Sequence, residues 1–275
     1  MEDFYDIAIE AAVKAGASIL DVYHSKDFEV EKKEDASPLT LADRAANEVI
    51  MGYLKDTGIP VLSEEGREIP YEERKKWQRF WLVDPLDGTK EFIKRNDEFT
   101  VNIALIEEGK PVFGVVYAPV LKELYVGNTA QGSWLLKGPK QTASLNEIRS
   151  NGKNLMSSST AYRFVHRSFS EGGHTAYRVV ASRSHLNDET KKYLEKLKVA
   201  KGELEIVSKG SSLKLCMVAS GEANEYPRLG PTMEWDVAAA HAVVKGAGRK
   251  VFIFGKEEEL TYNKEDLLNP WFLVK

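Results

Sequence analysis

The feature that most limits the fold is an apolar run, FWLV at residues 80–83, which passes directly into the acidic turn DPLDGT at residues 84–89. The run is too short for a helix and stops at polar residues, so it predicts a buried strand. The turn then lies at a strand end, where Asp84 and Asp87 can converge on a hard cation while Leu86 offers its carbonyl. The sequence therefore predicts a sheet with an oxygen-rich site at the end of one strand.

Two further acidic segments bear on this interpretation. On its own, an Asp-rich turn is more typical of an Asx turn or a helix cap than of a metal site. A second acidic turn, SEEG at residues 63–66, follows the apolar segment IPVLS, and its adjacent carboxylates repel unless they are exposed or neutralised by a cation. Asp236 opens an Ala-rich helix and fits either a first-turn carboxylate or a member of the site. An exposed acidic turn remains the alternative for residues 63–66.

The first half of the chain, residues 1–145, is predicted to be an α+β domain. Apolar residues recur at helical spacing over residues 4–22, and a second helix begins near Thr40 with Ala45, Val49 and Leu54 on its buried side. The segment from FTVNIALI to ELYVG alternates strand-like runs with Gly and Pro turns, which predicts an antiparallel meander.

The second half, residues 146–275, is predicted to be an α/β domain because strand patterns such as RVVAS and ELEIVS alternate with helical ones such as SLKLCMVASG and WDVAAAHAVV. The boundary is placed in a polar stretch without clear periodicity, rich in Ser, Gly and Asn, between residues 137 and 177.

Composition excludes several classes of function. A formal net charge of −4 provides no global attraction for nucleic acid polymers, so an anionic small molecule must be met by local cations or metal. The single cysteine, Cys216, excludes an intramolecular disulfide and fits a reducing compartment. With no transmembrane run and an acidic N-terminus, we expect a cytoplasmic protein, and leave a peripheral association with the inner membrane open. We also expect a monomer or a homodimer.

The motifs SEEG, WLVDPLDGTKEF and EWDVAA resemble the inositol monophosphatase-like superfamily of lithium-sensitive phosphatases. The blocks KKEDASPLTLAD, DGTKEFIKRNDEFTVNIALI, VASRSH and KGSSLKLCMVASGEANEYPRLGPTMEWD are similar to the bacterial 3'(2'),5'-bisphosphate nucleotidases of that superfamily. The resemblance implies a layered αβαβα sandwich of the inositol monophosphatase and fructose-1,6-bisphosphatase type.

The resemblance also implies a magnesium site with two or three ions. Glu65 and Asp84 would ligate one ion together with the Leu86 carbonyl, while Asp84, Asp87 and Asp236 would hold another. Oxygen-only ligands independently favour magnesium over zinc, because the lone cysteine and the scattered histidines supply no zinc spacing.

Two residues are implied to orient and deprotonate the attacking water: Thr89 and Asp35. Asp35 precedes the segment SPLT in the nucleotidase arrangement, whereas the inositol phosphatases carry the equivalent acid closer to the threonine. Considered alone, Asp35 is typical of a solvated loop acid.

The implied substrate contacts extend beyond the metal ligands. Ser211, Lys214 and Arg228 would surround the second phosphate and the nucleoside, and His185 would lie near the adenine or the ribose. The full set expected to contact the substrate is Glu65, Asp84, Asp87, Gly88, Thr89, His185, Ser211, Lys214, Arg228 and Asp236. The function expected from these residues is magnesium-dependent hydrolysis of adenosine 3',5'-bisphosphate to AMP and phosphate, extending to 3'-phosphoadenylyl sulfate, in sulfate assimilation.

Two alternatives stay open at this point. An inositol or sugar phosphatase would share the metal ligands but would have less use for Lys214 and Arg228. A catalytically silent phosphate- or metal-binding sensor belongs to a different class, and it would not require the water-activating pair.

Overall fold

The computed structural model describes residues 2–24, 30–32, 38–156, 176–181 and 186–275. The α-helices in these ranges are α1 (Glu2–His24), α2 (Leu41–Leu54), α3 (Tyr71–Arg74), α4 (Thr89–Lys94), α5 (Leu145–Asn151), α6 (Asp188–Lys201), α7 (Leu213–Ala219) and α8 (Glu234–Gly246). The strands are β1 (Val30–Lys32), β2 (Pro38–Thr40), β3 (Val61–Ser63), β4 (Arg79–Asp87), β5 (Thr100–Glu107), β6 (Lys110–Ala118), β7 (Glu123–Asn128), β8 (Gly132–Lys137), β9 (Lys153–Asn154), β10 (Tyr177–Val180), β11 (Leu204–Val207), β12 (Tyr226–Arg228), β13 (Val251–Ile253) and β14 (Phe272–Val274).

A seven-stranded sheet forms the centre of the molecule, with its strands in the order β3-β4-β5-β6-β7-β8-β9. Strands β4 to β9 pair antiparallel with their neighbours, whereas β3 pairs parallel with β4. The predicted antiparallel meander is confirmed in β5 to β7, and β8 extends it.

Strand β4 is buried on both faces of this sheet, which explains its unbroken apolar sequence. Phe80 and Leu82 belong to the buried cluster that includes α7 and α8, while Trp81 and Val83 belong to the cluster that includes α1 and α2. Because successive strand residues point to opposite faces, one short run supplies both layers of core.

Helix α8 lies close against the middle of the sheet because two glycines leave room for it. A Cβ at Gly114 on β6 would overlap the carbonyl oxygen of Ala239, and one at Gly127 on β7 would lie 2.5 Å from the Cα of Val243. The absence of side chains at these two positions therefore fixes how near α8 can approach, and with it where the start of α8 lies.

The remaining layers complete the sandwich. β12, β14 and β13 form a three-stranded sheet, and β10 pairs parallel with β11. α6 packs beyond them through Tyr193, whose hydroxyl donates to Glu225 at 2.6 Å and whose ring meets Phe254 edge-on. The order from α1 and α2 through to α6 confirms the predicted layered αβαβα architecture.

The buried face of α2 differs from the prediction. Leu54 is buried as expected, but Ala45 and Val49 are only half-buried, and Ala46 and Ile50 are fully buried in their place. Adjacent helical residues lie about 100° apart around the axis, so the observed face is rotated by one residue. The packing of α2 between α1 and the sheet sets this rotation.

The division into residues 1–145 and 146–275 stays a prediction. The large sheet continues beyond it through β9, and one buried cluster contains Leu82 from the first half and Leu215 from the second. None of the helices in the described ranges has an apolar stretch of the length that a bilayer crossing requires.

Candidate active site

Glu64 and Asp84 are brought together by the parallel pairing of β3 with β4. Ser63 lies opposite Val83, and the backbone N–H of Glu64 donates to the Val83 carbonyl at 3.1 Å, which extends the pairing by one residue. Side chains that share a register position point to the same face of a sheet. Glu64 therefore lies beside Asp84.

Asp236 reaches the same place from the first turn of α8. Its Oδ2 accepts a hydrogen bond from the backbone N–H of Met233 at 2.9 Å, which holds the carboxylate at the helix start. Carboxylate oxygens of Glu64, Asp84 and Asp236 all lie within 4.8 Å of one another. The helix that covers the sheet thus supplies one acid of a three-carboxylate group.

Glu65, the glutamate predicted from the sequence, is not a member of this group. Successive residues point to opposite sides of an extended chain, and the segment turns here, since the Gly66 N–H donates to the Ser63 carbonyl at 3.1 Å. Glu65 as a metal ligand stays a prediction, and Glu64 is the glutamate that the structure groups with Asp84 and Asp236. The signal that distinguishes the two is the parallel register with β4, which the sequence pattern does not reveal.

The pKa values of these acids show the electrostatic cost of the arrangement. Burial raises the pKa of Asp84 well above its usual range, and the charges of Glu64, Asp87 and Asp236 raise it further. Burial, reinforced by the charge of Asp87, raises the pKa of Asp236 to about 8. Carboxylates placed so close together repel, and a divalent cation between them would relieve that repulsion.

Asp87 lies outside the group of three and is held by residues from both halves of the chain. Its Oδ2 accepts hydrogen bonds from the Ser211 hydroxyl at 2.5 Å, the Ser212 backbone N–H at 2.7 Å and the Asn102 side-chain amide at 3.4 Å. Burial raises the pKa of Asp87, whereas these donors and the charge of Lys214 lower it.

The turn between the two aspartates is organised by its own backbone. The Leu86 N–H donates to Asp84 Oδ1 at 3.1 Å, and Gly88 takes a left-handed conformation, with φ of 95°, immediately before α4. Thr89 is the first residue of α4 and is half-buried. Metal binding by the Leu86 carbonyl and substrate contacts at Gly88 and Thr89 stay predictions.

A cavity of about 350 Å³ opens beside the acids and is lined by both halves of the chain. Its charged lining consists of Asp87, Glu91, Asp236, Lys90, Lys94, Lys214 and Arg228. In the described part of the chain, none of the four cations forms an ion pair. The cavity therefore presents acids and cations that do not form salt bridges with one another among the described residues.

Lys90 and Lys94 were missed by the sequence analysis. They are four residues apart on α4, so they lie on the same side of this short helix. That spacing, directly after the DGT of the acidic turn, is the sequence signal that identifies them. Both side chains are exposed at the cavity.

The predicted substrate contacts of the second half partly join the cavity. Lys214 Nζ donates to the Ser211 carbonyl at 3.1 Å, and Arg228 Nη2 donates to the Pro231 carbonyl at 2.8 Å. These bonds leave further donors on both side chains, since Lys has three and Arg five. Asp35 and His185 lie outside the described residues, so their roles stay predictions.

The donor set fits magnesium. The group of Glu64, Asp84 and Asp236 offers only carboxylate oxygens, which are the ligands that hard divalent cations prefer. The raised pKa values of Asp84 and Asp236 show that these acids are costly to ionise side by side without a cation to compensate their charge.

A model of the inositol monophosphatase family matches residues 1–270. The chain belongs to the inositol monophosphatase family. Within this family it is 46% identical over 271 residues to the 3'(2'),5'-bisphosphate nucleotidase CysQ of Salmonella typhimurium, covering 96% of each chain. It is 45% identical over 275 residues to the enzyme of the same name from Escherichia coli, covering 98% of each chain.

Solved structures of inositol monophosphatase family members share the fold. CysQ from Bacteroides thetaiotaomicron superimposes with a TM-score of 0.87 at 46% identity, covering 100% of this chain and 97% of that one. The Thermotoga maritima IMPase superimposes with a TM-score of 0.70 at 23% identity, over 99% of this chain and 91% of that one, and shows the fold alone.

Proposed function

We propose that the chain is a magnesium-dependent 3'(2'),5'-bisphosphate nucleotidase that hydrolyses adenosine 3',5'-bisphosphate to AMP and phosphate and also accepts 3'-phosphoadenylyl sulfate. Relatives that carry the name of this activity support the proposal, because they match at 45% and 46% identity over nearly the whole chain. The observation that carries the proposal is the cavity in which acids and unpaired cations meet.

The cavity suits a substrate with two phosphates. One phosphate, next to the carboxylates, would be neutralised by metal. The other would need fixed cations, which Lys214 and Arg228 provide from the second half and Lys90 and Lys94 from α4. Arg can chelate a phosphate through two donors, and Lys acts as a point charge. A single-phosphate inositol ester would leave most of this positive charge unused.

We propose that Asp84, Asp87, Asp236 and the Leu86 carbonyl bind two or three magnesium ions together with the acidic turn, in which Glu65 is the ligand predicted from the sequence and Glu64 the one grouped with Asp84 and Asp236. When bound, magnesium would polarise the phosphoryl oxygens and lower the pKa of a water molecule. Support for this assignment comes from the oxygen-only donor set and from the raised pKa values of its buried members.

Thr89 and Asp35 are proposed to orient the water and accept its proton. The water oxygen forms a new bond to phosphorus while the bond from phosphorus to the ribose oxygen breaks. The departing ribose oxygen takes up one proton, and the other proton of the water stays with the phosphate. A general base of this kind contributes a factor of roughly 10² to 10⁴, so substitution of Asp35 should impair turnover without abolishing it.

A substrate panel at fixed magnesium tests the proposed function. Phosphate release from adenosine 3',5'-bisphosphate, 3'-phosphoadenylyl sulfate, AMP and inositol 1-phosphate is measured with the same enzyme preparation. We expect kcat/KM to be highest for the two bisphosphate nucleotides. A clear preference for inositol 1-phosphate would instead establish the chain as an inositol phosphatase.

The same panel tests whether the chain is a sensor rather than an enzyme. A sensor would bind magnesium in a calorimetric titration but would release no phosphate from any of these esters. The cytoplasmic location and the monomeric or homodimeric state are further predictions that fractionation and light scattering can check.

A further inference from the structure

A buried polar cluster connects β5 to the segment before α7 and ends at Asp87. Thr100, Asn102 and Ser212 are 0%, 1% and 2% exposed, respectively. Thr100 Oγ1 lies 2.6 Å from the Ser211 hydroxyl, 2.9 Å from the Ser212 hydroxyl and 3.1 Å from Asn102 Oδ1. Ser212 Oγ donates to the same Asn102 oxygen at 2.9 Å. Polar groups this deeply buried are costly unless their hydrogen bonds are made.

The number of hydroxyl protons in this cluster decides which groups donate and which accept. Three hydroxyls, those of Thr100, Ser211 and Ser212, supply three protons for five close contacts. Asp87 and the Asn102 oxygen can only accept, so the Ser211 proton is committed to Asp87. Thr100 can then donate to Ser211, at the shortest contact that it makes. The result is a directed chain of hydroxyls that ends on the carboxylate.

All the hydrogen bonds that Asp87 accepts from the described residues reach one oxygen, Oδ2. Three donors on Oδ2 fix the orientation of the carboxylate and keep Oδ1 available to a cation. Hydrogen bonds of this kind to a ligating carboxylate typically contribute about 10-fold to 100-fold to metal affinity.

The backbone around Ser211 has the conformation that this arrangement requires. Ser211 has φ of 54°, a left-handed conformation that is unfavourable for a residue with a side chain. The preceding Gly210 N–H donates to Glu98 Oε2 at 2.9 Å, which anchors the segment next to β5. In this conformation the Ser211 hydroxyl and the Ser212 N–H both reach the same oxygen of Asp87.

We infer that Thr100, Asn102, Ser211 and Ser212 are positioning residues that set the orientation of Asp87 for metal binding. The Ser211 hydroxyl serves this network rather than contacting the second phosphate. The inference rests on the proposed function only in taking Asp87 as a magnesium ligand.

The matched pair Thr100→Val and Thr100→Ser tests the network. Valine keeps the shape of threonine and removes its proton, whereas serine keeps the hydroxyl. We expect calorimetric magnesium affinity to fall about tenfold in Thr100→Val and to stay within about twofold of wild type in Thr100→Ser. Unchanged magnesium affinity in a folded Thr100→Val protein would overturn the inference, because a purely structural residue lowers only the unfolding temperature.

Ser211→Ala provides a second test that does not depend on a fully buried position. The network predicts weaker magnesium binding in this variant, with a higher magnesium concentration for half-maximal activity and KM for adenosine 3',5'-bisphosphate little changed at saturating magnesium. A substrate-contact role predicts the reverse, with unaltered magnesium affinity and a raised KM. That second pattern would overturn the inference.

Calorimetry separates this inference from the proposed function. If wild-type protein binds magnesium but hydrolyses no bisphosphate nucleotide, the proposed function fails, and the Thr100 and Ser211 variants still decide the network. If turnover is normal and all three variants bind magnesium like wild type, the network fails and the proposed function stands.

Discussion

Asp84, within a sheet strand, and Asp236, in the first turn of α8, bring carboxylate oxygens within 4.8 Å of each other. The contact exists only because α8 packs directly on the sheet, where Gly114 and Gly127 leave space for it. Substitutions that displace α8 should therefore weaken metal binding even when they lie far from the carboxylates.

Glu64→Gln and Glu65→Gln form a matched pair that tests which glutamate of the acidic turn binds the metal. Each removes one negative charge from the same turn and keeps the side-chain shape. Only Glu64 is grouped with Asp84 and Asp236. We therefore expect Glu64→Gln alone to lower turnover by roughly two or more orders of magnitude, the loss that is typical when a group that stabilises the transition state is removed. Steady-state hydrolysis of adenosine 3',5'-bisphosphate provides the measurement, and equal losses in both variants would contradict the assignment.

Lys90 and Lys94 should discriminate between substrates with one and two phosphates. Replacing both with Ala removes two unpaired charges from the cavity, so KM for adenosine 3',5'-bisphosphate should rise by about tenfold with kcat little changed, as expected for a lost ground-state contact. KM for inositol 1-phosphate should hardly move. The control is Lys191→Ala with Lys192→Ala, which removes two charges from α6, where each is paired with an acid. A similar rise of KM in the control would show a nonspecific charge effect.

Magnesium binding should release protons near neutral pH. Burial raises the pKa of Asp84 well above its usual range and that of Asp236 to about 8, so the metal-free site holds protons at pH 7 that a metal must displace. Magnesium affinity should therefore rise with pH through about 8, where Asp236 loses its proton. Calorimetry at pH 7 in buffers with different ionisation enthalpies measures the released protons, and a heat independent of the buffer would contradict the prediction.

The same shifts have a consequence for stability. Acids whose pKa is raised on folding bind protons more strongly in the folded state, so the metal-free protein loses stability as pH rises from about 4 toward 8. Magnesium should offset that loss. Its effect on the unfolding temperature is expected to be larger at pH 8 than at pH 6.

His241, fully buried on α8, should make the protein sensitive to mild acid. Its Nδ1 lies 2.8 Å from the Tyr262 hydroxyl and its Nε2 lies 3.4 Å from Glu259, which also contacts Lys245 at 3.5 Å. Burial lowers the pKa of His241, and the hydrogen bond from His241 lowers the pKa of Glu259 to about 2. Below about pH 6.5 the His241 imidazole therefore binds a proton in the unfolded chain but not in the folded one, and the free energy of unfolding falls as pH decreases.

Thermal unfolding between pH 5 and pH 8, in the wild type and in His241→Gln, measures this effect. The variant keeps a donor and an acceptor but cannot titrate, so its unfolding temperature should decline less between pH 7 and pH 5. Equal declines in the two proteins would assign the acid sensitivity to other groups.

Patterns that depend on neighbouring residues were predicted from the sequence. The run at residues 80–83 identified β4, and the Ala-rich segment after Asp236 identified α8, because burial on both faces of a strand and close helix packing select those residue types locally. The motif resemblance predicted that Asp84 and Asp236 share a site, and their carboxylate oxygens do lie within 4.8 Å of each other; their roles as metal ligands stay predictions.

Features set by packing between distant elements were not predicted. The grouping of Glu64 with Asp84 and Asp236 follows from the parallel register of β3 with β4. The buried face of α2, with Ala46 in place of Ala45, follows from how that helix lies between α1 and the sheet. The orientation of Asp87 depends on Ser212, which lies far away in the sequence. No periodic pattern within one segment of the sequence reveals these relations, since each depends on two segments that are distant in the sequence and meet only in the fold.

Helix α8 follows the whole large sheet in the sequence, which has a consequence for biosynthesis. During translation the seven-stranded sheet emerges before Glu234 does, and until then the apolar face under α8 has no cover. The same helix carries Asp236, so a nascent chain that does not yet include it has neither a sealed core nor the third acid of the group. Assembly of the three carboxylates is thereby tied to the packing of α8 on the sheet.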